Sequence, residues 1–328
     1  MSLEGIKELC LCGSQTTDCM LGECERCPWT QSLTLANLGM VDEDEITFAV
    51  WESGDLIKKT LSPTLFLKEL VKSVTKWIPH NYIRRTQAAA IHEAKMCEQR
   101  GSIVHFDFAE NWTVLLPNET QSYHWHKKQI SIFTCVATTR KATHSFAIIS
   151  DDMHHDAAHA CCALGKVHEM LDEKAPIYCN VTYVSDGAAS HFKNRYQLYE
   201  LCRTKFTSAR WIFSATGHGK NACDGVGGLV KHHASLHNLR SGCTESIQSA
   251  HEMVSQLSDK LKNVTLLHAP AAAIEEHRQQ KSVEWKSVPR VPGIQSWHVW
   301  MCARDQSSGY VLSVSRTSAS QLTAIKPF

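Results

Sequence analysis

The stretch YVSDGAASHFKNR, residues 183–195, ends an apolar run on a lone carboxylate, Asp186, and follows it with glycine, small residues and the cations Lys193 and Arg195. The apolar run reads as a buried strand. An aspartate at its carboxyl end, beside a cation-containing turn, is where a metal ion and a phosphate can meet. One aspartate does not hold a catalytic metal alone, so the reading turns on which other strands bring acids to the same edge.

Upstream lie three β-rich runs, SIVHFDFAENW from Ser102, QISIFTCVAT from Gln129 and HSFAIIS from His144. A helical pattern follows Asp152, with apolar residues at Ala157, Ala160, Leu164, Val167 and Leu171. Downstream, residues 196–206 read as a short helix, ARWIFSAT as a fifth strand, and CDGVGGLVKHHASLHNL as a helix with a Gly-rich first turn. The order β-β-β-α-β-α-β-α predicts an antiparallel meander that continues into parallel crossovers. That is an α/β fold with an RNase H-like mixed five-stranded sheet flanked by helices.

Four segments are expected: a Cys-rich patch at 1–30, a strand pair plus helical module at 31–101, the catalytic domain at 102–242, and a small C-terminal α+β extension at 243–328. In the second, EITFAVWES and LIKKTL form the strand pair. Ser62 and Pro63 then start a helix that Pro79 stops, and a second helix runs over 81–100 to Gly101. In the fourth, a helix near 243–262 precedes a strand pair, SWHVWMCAR and GYVLSVSR.

In this order the first strand carries Asp107, the fourth ends on Asp186, and Asp224 sits near the start of the last helix. Hard divalent cations take oxygen ligands, and two Mg²⁺ or Mn²⁺ ions can activate an attacking hydroxyl and stabilise the leaving oxygen of a phosphodiester. Each Asp alone is equally at home as a turn or cap residue. Glu110 faces away from Asp107 unless a bulge intervenes. Asp151 and Asp152 end the third strand, with Asp156 in the next helix's first turn.

GHGKNACDGVGG lacks the P-loop pattern, so His218 and Lys220 are read as phosphate donors, with a flexible loop closing onto a helix as the alternative. Lys193, Arg195 and Lys231 are candidates to follow a nucleic-acid backbone, with Tyr196 adding stacking; solvated helix faces explain the same residues. Cys12, Cys19, Cys24 and Cys27 give C-x6-C-x4-C-x2-C, a tetrahedral zinc set with Cys10 as substitute first ligand, against a run of reduced structural thiols. His155 and His159 lie one helical turn apart without the Glu of H-E-x-x-H, and are read as a solvated helix start.

Composition sets the outer limits. Lys plus Arg number 34 against 33 Asp plus Glu, so the net charge of +1 gives no global attraction to nucleic acid or anionic membrane, and any basic surface is local. No apolar run approaches the roughly 18–20 residues of a bilayer span, and the N-terminus lacks a signal-peptide pattern. A soluble, intracellular chain without membrane partner or organic cofactor is expected. Its 14 Cys then read as reduced thiols or metal ligands.

DFAEN, ISDDMHHD, YVSDGAASHFKNR, ARWIFSATGHGK and ACDGVGGLVKHHAS together resemble a transposon-derived metazoan protein family with an RNase H-like DDE/DDD domain of the transposase/integrase type. TDCMLGECERCP and VPGIQSWH extend the resemblance over most of the chain. It implies Asp107, Asp186 and Asp224 as the triad that binds two Mg²⁺ or Mn²⁺ ions, DNA as partner, nuclear localisation, and hydrolysis or strand transfer at phosphodiesters. A homo-oligomer is compatible with it. The third acid is Asp where many transposases use Glu, and no helix-turn-helix is visible. A domesticated, non-catalytic module that binds nucleic acid or protein is the alternative, and an RNA-strand nuclease is a third reading.

Overall fold

The structure, a computed structural model, describes residues 2–328 except 42–44, 97–100, 140, 175–178, 220 and 306–308. It falls into two compact units, Met1–Thr86 and Gln87–Phe328, where four segments were expected. The Cys-rich patch belongs with the helical module, because both contribute to one apolar core.

In the first unit, α1 (Leu3–Cys10) is capped by Ser2, whose Oγ accepts from Gly5 N. Helix α2 (Thr17–Leu21) ends at Gly22 in the left-handed region, and α3 (Leu35–Leu38) is a single turn. Strands β1 (Ile46–Glu52) and β2 (Asp55–Leu61) form an antiparallel hairpin. Its two-residue turn puts both Ser53 and Gly54 at positive φ, 51° and 95°, the twist that tight hairpins require. Helix α4 (Pro63–Met96) follows. Its Val74 and Ile78 join Ile6, Cys10, Cys19 and Leu33 in this unit's core.

Pro79 does not end the helix as expected: α4 runs through it for 34 residues. Proline removes one N–H and crowds one carbonyl, a cost of about 3 kcal/mol. Packing on both sides of it offsets that cost. In the second unit Gln87, only 1% exposed, donates through Nε2 to the carbonyls of Phe213 and His298 at 3.1 and 2.9 Å. Its Oε1 accepts from Ser318 N at 2.7 Å.

The second unit continues with β3 (Gly101–Thr113), α5 (Gln121–His124), β4 (Gln129–Thr139), β5 (Thr143–Ser150), α6 (Ala157–Lys174), β6 (Asn180–Ser185) and α7 (Arg195–Cys202). Then come β7 (Ser208–Phe213), α8 (Ala222–Arg240), α9 (Ala250–Leu257), β8 (Thr265–His268), α10 (Ala271–Glu284), β9 (Val299–Ala303), β10 (Val311–Ser315) and β11 (Thr323–Ile325). All nine strands form one mixed sheet in the order β11-β10-β9-β7-β6-β3-β4-β5-β8. Strands β3, β4 and β5 are an antiparallel meander, and β6 and β7 add parallel to β3.

The sheet thus has nine strands where five were expected, and the C-terminal strand pair is not a separate extension. Strand β9 hydrogen-bonds antiparallel to β7, and β8 adds parallel to β5 at the other edge. Both additions cover edges that would otherwise leave a row of unpaired backbone groups.

Helices cover both faces, so the strands read as near-continuous apolar runs. Phe106, Phe133, Phe146 and Trp211 face α6, α7 and α10. Ile130, Ile132, Val136 and Ile149 face α8 and α9. On that second side Ala90 of α4 meets Ile103, Val184 and Ile212. Helix α8 comes unusually close to the sheet, because a Cβ on Gly227 would stand 2.9 Å from Ala109 Cβ and 3.5 Å from Thr134 Cγ2.

Gly227→Ala should therefore cost about 1–2 kcal/mol in urea unfolding, overpacking outweighing the ~1 kcal/mol gain in helix propensity. Combined with Ala109→Gly, the pair should show favourable coupling of about 1 kcal/mol. Additive effects would show that the close approach is not what the glycine serves.

Candidate functional site: three acids on one face and a four-cysteine cluster

The parallel pairing of β3 with β6 places His105 opposite Val184. Two residues further along the same register come Asp107 on β3 and Asp186 just past the end of β6. Side chains alternate, so Asp107 shares the face of Ile103 and Ala109, and Asp186 that of Val184. This is the face that α8 covers. Asp224 lies in the first turn of α8, so all three acids are on one side of the sheet.

Local bonds hold each in place. Thr134 Oγ1 donates to the Asp107 carbonyl at 3.1 Å. Asp186 Oδ1 accepts from Ala188 N at 3.1 Å, which turns the chain away from the strand end. Asp224 Oδ2 accepts from Asn221 N at 2.7 Å, and the Asn221 side chain in return caps the helix. A Cβ on Gly219 would lie 3.8 Å from Asp186 Cβ, so the chain at Gly219 passes close to this acid.

The charges feel one another. Burial, then the Asp186 charge and lastly that of Asp224 push the Asp107 carboxyl up to about 7, a bond from the Phe108 backbone opposing them. The constellation is nonetheless open. Among the described residues the one set of three or more potential ligands whose atoms all lie within 4.8 Å of one another is Cys12, Cys19, Cys24 and Cys27.

The other candidates separate. A bulge does intervene on β3, with register shifting between Ala109 and Trp112. It sends Trp112 into the core beneath α8 and leaves Glu110 exposed, 3.7 Å from Lys231. Lys193 is not a surface cation: it is 3% exposed, its ammonium lies 5.2 Å from the Phe213 ring centroid, and burial lowers its pKa to about 8. Arg195 donates to Tyr196 OH at 2.8 Å and lies over that ring, which also stacks on Trp285, so Tyr196 is already occupied. His218 is exposed, and Lys220 lies outside the described residues.

Asp151 caps α9 by accepting from Ala250 N at 3.1 Å, and Asp156 accepts from His159 N at 2.8 Å at the start of α6. The histidines there are not a solvated helix start. His155 stacks on Phe108 with centroids 4.1 Å apart and bonds Ser131 Oγ at 2.9 Å, while His159 is 1% exposed. Burial, first among several causes, lowers the pKa of both. Beside them Arg278 of α10 grips Asp152 and Asp156, each at 2.6 Å. Nothing in the local sequence pairs residues 278 and 152. By contrast, the spaced glycines of CDGVGG were a readable sign of the close approach at Gly227.

The cysteine cluster is compact. Cys12 Sγ stands 3.5 Å from Cys19 Sγ and 4.0 Å from Cys24 Sγ, and Cys12 N donates to Cys27 Sγ at 3.2 Å. Hydrogen bonds from Ser14 lower the Cys12 thiol to about 6, and burial pushes Cys27 up to about 12. Cys10 is buried, outside the set, and its pKa is raised by burial, so it is not the substitute ligand expected. This four-cysteine cluster can hold a metal such as zinc.

Fold and site define an α/β protein whose mixed nine-stranded sheet carries three acids on one face, with a four-cysteine metal-type cluster in a separate unit. The chain belongs to the family described as a domain of unknown function (DUF8701), which matches residues 87–315. Neither a curated protein nor a solved structure matches it. Among the described residues, no helix is long and apolar enough to cross a membrane.

The raised Asp107 pKa has a stability consequence. Its ordinary value is 3.8 and its folded value about 7, so the folded chain keeps this proton longer. The associated stability is complete below about pH 4 and is lost as pH rises through about 7. Asp107→Asn removes that loss. Its unfolding free energy relative to wild type should rise from pH 4 to pH 8, by on the order of 1 kcal/mol after screening by solvent. Superimposable differences across that range would contradict the assignment.

Proposed function

We propose that the second unit is an RNase H-like domain of DDE/DDD transposase type, acting on DNA phosphodiesters by hydrolysis or strand transfer. Asp107, Asp186 and Asp224 are the residues that would hold two Mg²⁺ or Mn²⁺ ions. The observation that carries this reading is the placement of three acids on one side of the sheet, with the charges of two of them reaching the third. The order β5-β4-β3-β6-β7, a three-stranded meander followed by two parallel strands, supports it.

Carboxylate oxygens are the donors a divalent cation takes, although the three acids do not all lie within 4.8 Å of one another here. Mutual repulsion and burial hold Asp107 partly protonated near neutral pH, and positive charge between the acids relieves both. Bound ions of this kind polarise a phosphoryl oxygen and activate the attacking hydroxyl. The chain's part is to orient the carboxylates and to leave room for the substrate. Gly225 and Gly228 beside Asp224 are exposed, with nothing within 4 Å of an added Cβ. Each glycine costs a helix about 1 kcal/mol, so free space there has a use beyond packing. A sugar-phosphate backbone passing over the first turns of α8 would take that space. DNA as partner and the nucleus as location go with this reading.

A second reading, a domesticated module that binds nucleic acid or protein without catalysis, is favoured by one observation: the Asp224 carboxylate already accepts from Asn221 N. Nicking assays with Mg²⁺ or Mn²⁺ on DNA, RNA and hybrid substrates separate the two. Wild type should nick DNA, and Asp186→Asn should lower the rate by at least about 10²-fold, the loss expected when a metal-ligating carboxylate is removed. Absence of turnover in the wild type would leave the binding module, and equal turnover in both would exclude Asp186 as a metal ligand.

For the cysteine cluster we propose a structural Zn²⁺ site. Four thiolates at about 2.3 Å from one ion stand about 3.8 Å apart, a spacing that the 3.5 and 4.0 Å from Cys12 Sγ to Cys19 Sγ and Cys24 Sγ bracket. Elemental analysis should find one zinc per chain, lost in Cys24→Ser together with the first unit's cooperative melting. Full zinc content in that variant would argue against the set.

A further inference from the structure

At the end of the sheet away from Asp186, the last described turn of α4 overhangs the amino ends of β6 and β7. Between them is a cavity of about 270 Å³. Its floor is one row of the sheet, in which Thr138, Ile103, Thr182 and Arg210 are successive cross-strand neighbours. Lys95 of α4 closes it from above.

The chemistry of this lining is one-sided. Arg210 is half-buried, and neither its side chain nor that of Lys95 has a hydrogen bond or ion pair with a described residue. A guanidinium offers five donors and no acceptor, and here the lining offers it hydroxyls and the Asn180 amide but no carboxylate, so an anion would meet its charge. Among the described residues, Glu93 is the acid whose charge reaches Arg210. Thr182, the register partner of Arg210, lines the same floor. In the next row lies His105, 6% exposed, with Nε2 unbonded. It faces Lys95, Val136 and Val184, and burial keeps it neutral, so it adds no charge that would compete for the anion.

We propose that this cavity is a binding site for a phosphate-class oxyanion, with Arg210 and Lys95 as its charged donors and the Thr182 hydroxyl as a third. Arg210 presents a planar fork to two oxygens, and Lys95 supplies a movable point charge from the helix. The cavity of about 270 Å³ has room for a phosphate group, so the ligand is either a free phosphate or the phosphate of a larger molecule. The site is separate from the three acids and does not depend on their being catalytic.

The test is isothermal titration of the full chain with inorganic phosphate at constant ionic strength, alongside Arg210→Gln and Lys95→Gln. Thermal melts in chloride show that each variant is folded. Wild type should bind, and each variant should bind about tenfold or more weakly, the worth of one charge-assisted hydrogen bond. Lys95→Gln is exposed on one side and carries the test if Arg210→Gln does not fold. No binding to wild type, or unchanged binding in the folded variants, overturns the proposal. A second arm compares a 5′-phosphorylated oligonucleotide with its 5′-hydroxyl counterpart. Preference for the phosphorylated strand, lost in Lys95→Gln, supports the site with a nucleic-acid end as source; equal affinity alongside phosphate binding supports it with a free phosphate.

Discussion

A parallel strand pair fixes where two distant residues meet, and the pairing of β3 with β6 is the constraint on which this protein's acidic face depends. The register leaves no freedom: with His105 opposite Val184, Asp107 and Asp186 follow on the same side of the sheet. A slip by one residue would turn one of the two carboxylates to the other face, among Phe106, Phe133 and Phe192. Large aromatic contacts on that face, such as the edge-on packing of Phe106 against Phe192 at 5.2 Å, hold the register against such a slip.

The third acid depends on a different device. Helix α8 can bring Asp224 over the sheet because Gly227, one turn on, lets the helix settle against Ala109 and Thr134. Thr134 is also the residue that holds the Asp107 carbonyl. One side chain of β4 thus meets both the helix that carries one acid and the strand that carries another. The β3 bulge adds to this by burying Trp112 beneath α8, where its indole donates to Ser235 Oγ at 3.0 Å.

Much of this was legible in the sequence. The succession from β3 to α8 follows from apolar runs with period two or 3.6, broken by turn residues, and the acids could be assigned to an edge once the topology was assumed. What escaped the sequence was decided by tertiary partners. The hairpin of β9 and β10 is readable as a hairpin, but not that its outer edge pairs with β7. Pro79 reads as a stop because the packing that carries α4 past it is distant in sequence. His155 reads as solvated and Lys193 as a cation open to a nucleic-acid backbone because both are polar, although an aromatic ring lies against each. The spacing between the acids is likewise a property of the folded loops: Asp224 is drawn to its own helix cap, which a pattern of residue types does not reveal.

The lengths of the outermost strands bear on how the molecule behaves in a crowd. The large sheet terminates in β8, four residues long, and β11, three residues long, so each rim offers few free amide and carbonyl groups to a passing chain. Its apolar inner strands are thereby sealed against templated stacking. The first unit is built otherwise: β1 and β2 are seven residues each, and Trp51, Leu56 and Ile57 stand exposed along them. Lys58, Lys59 and Glu52 interrupt that ribbon with charge, the device by which an apolar strand pair resists edge-to-edge association.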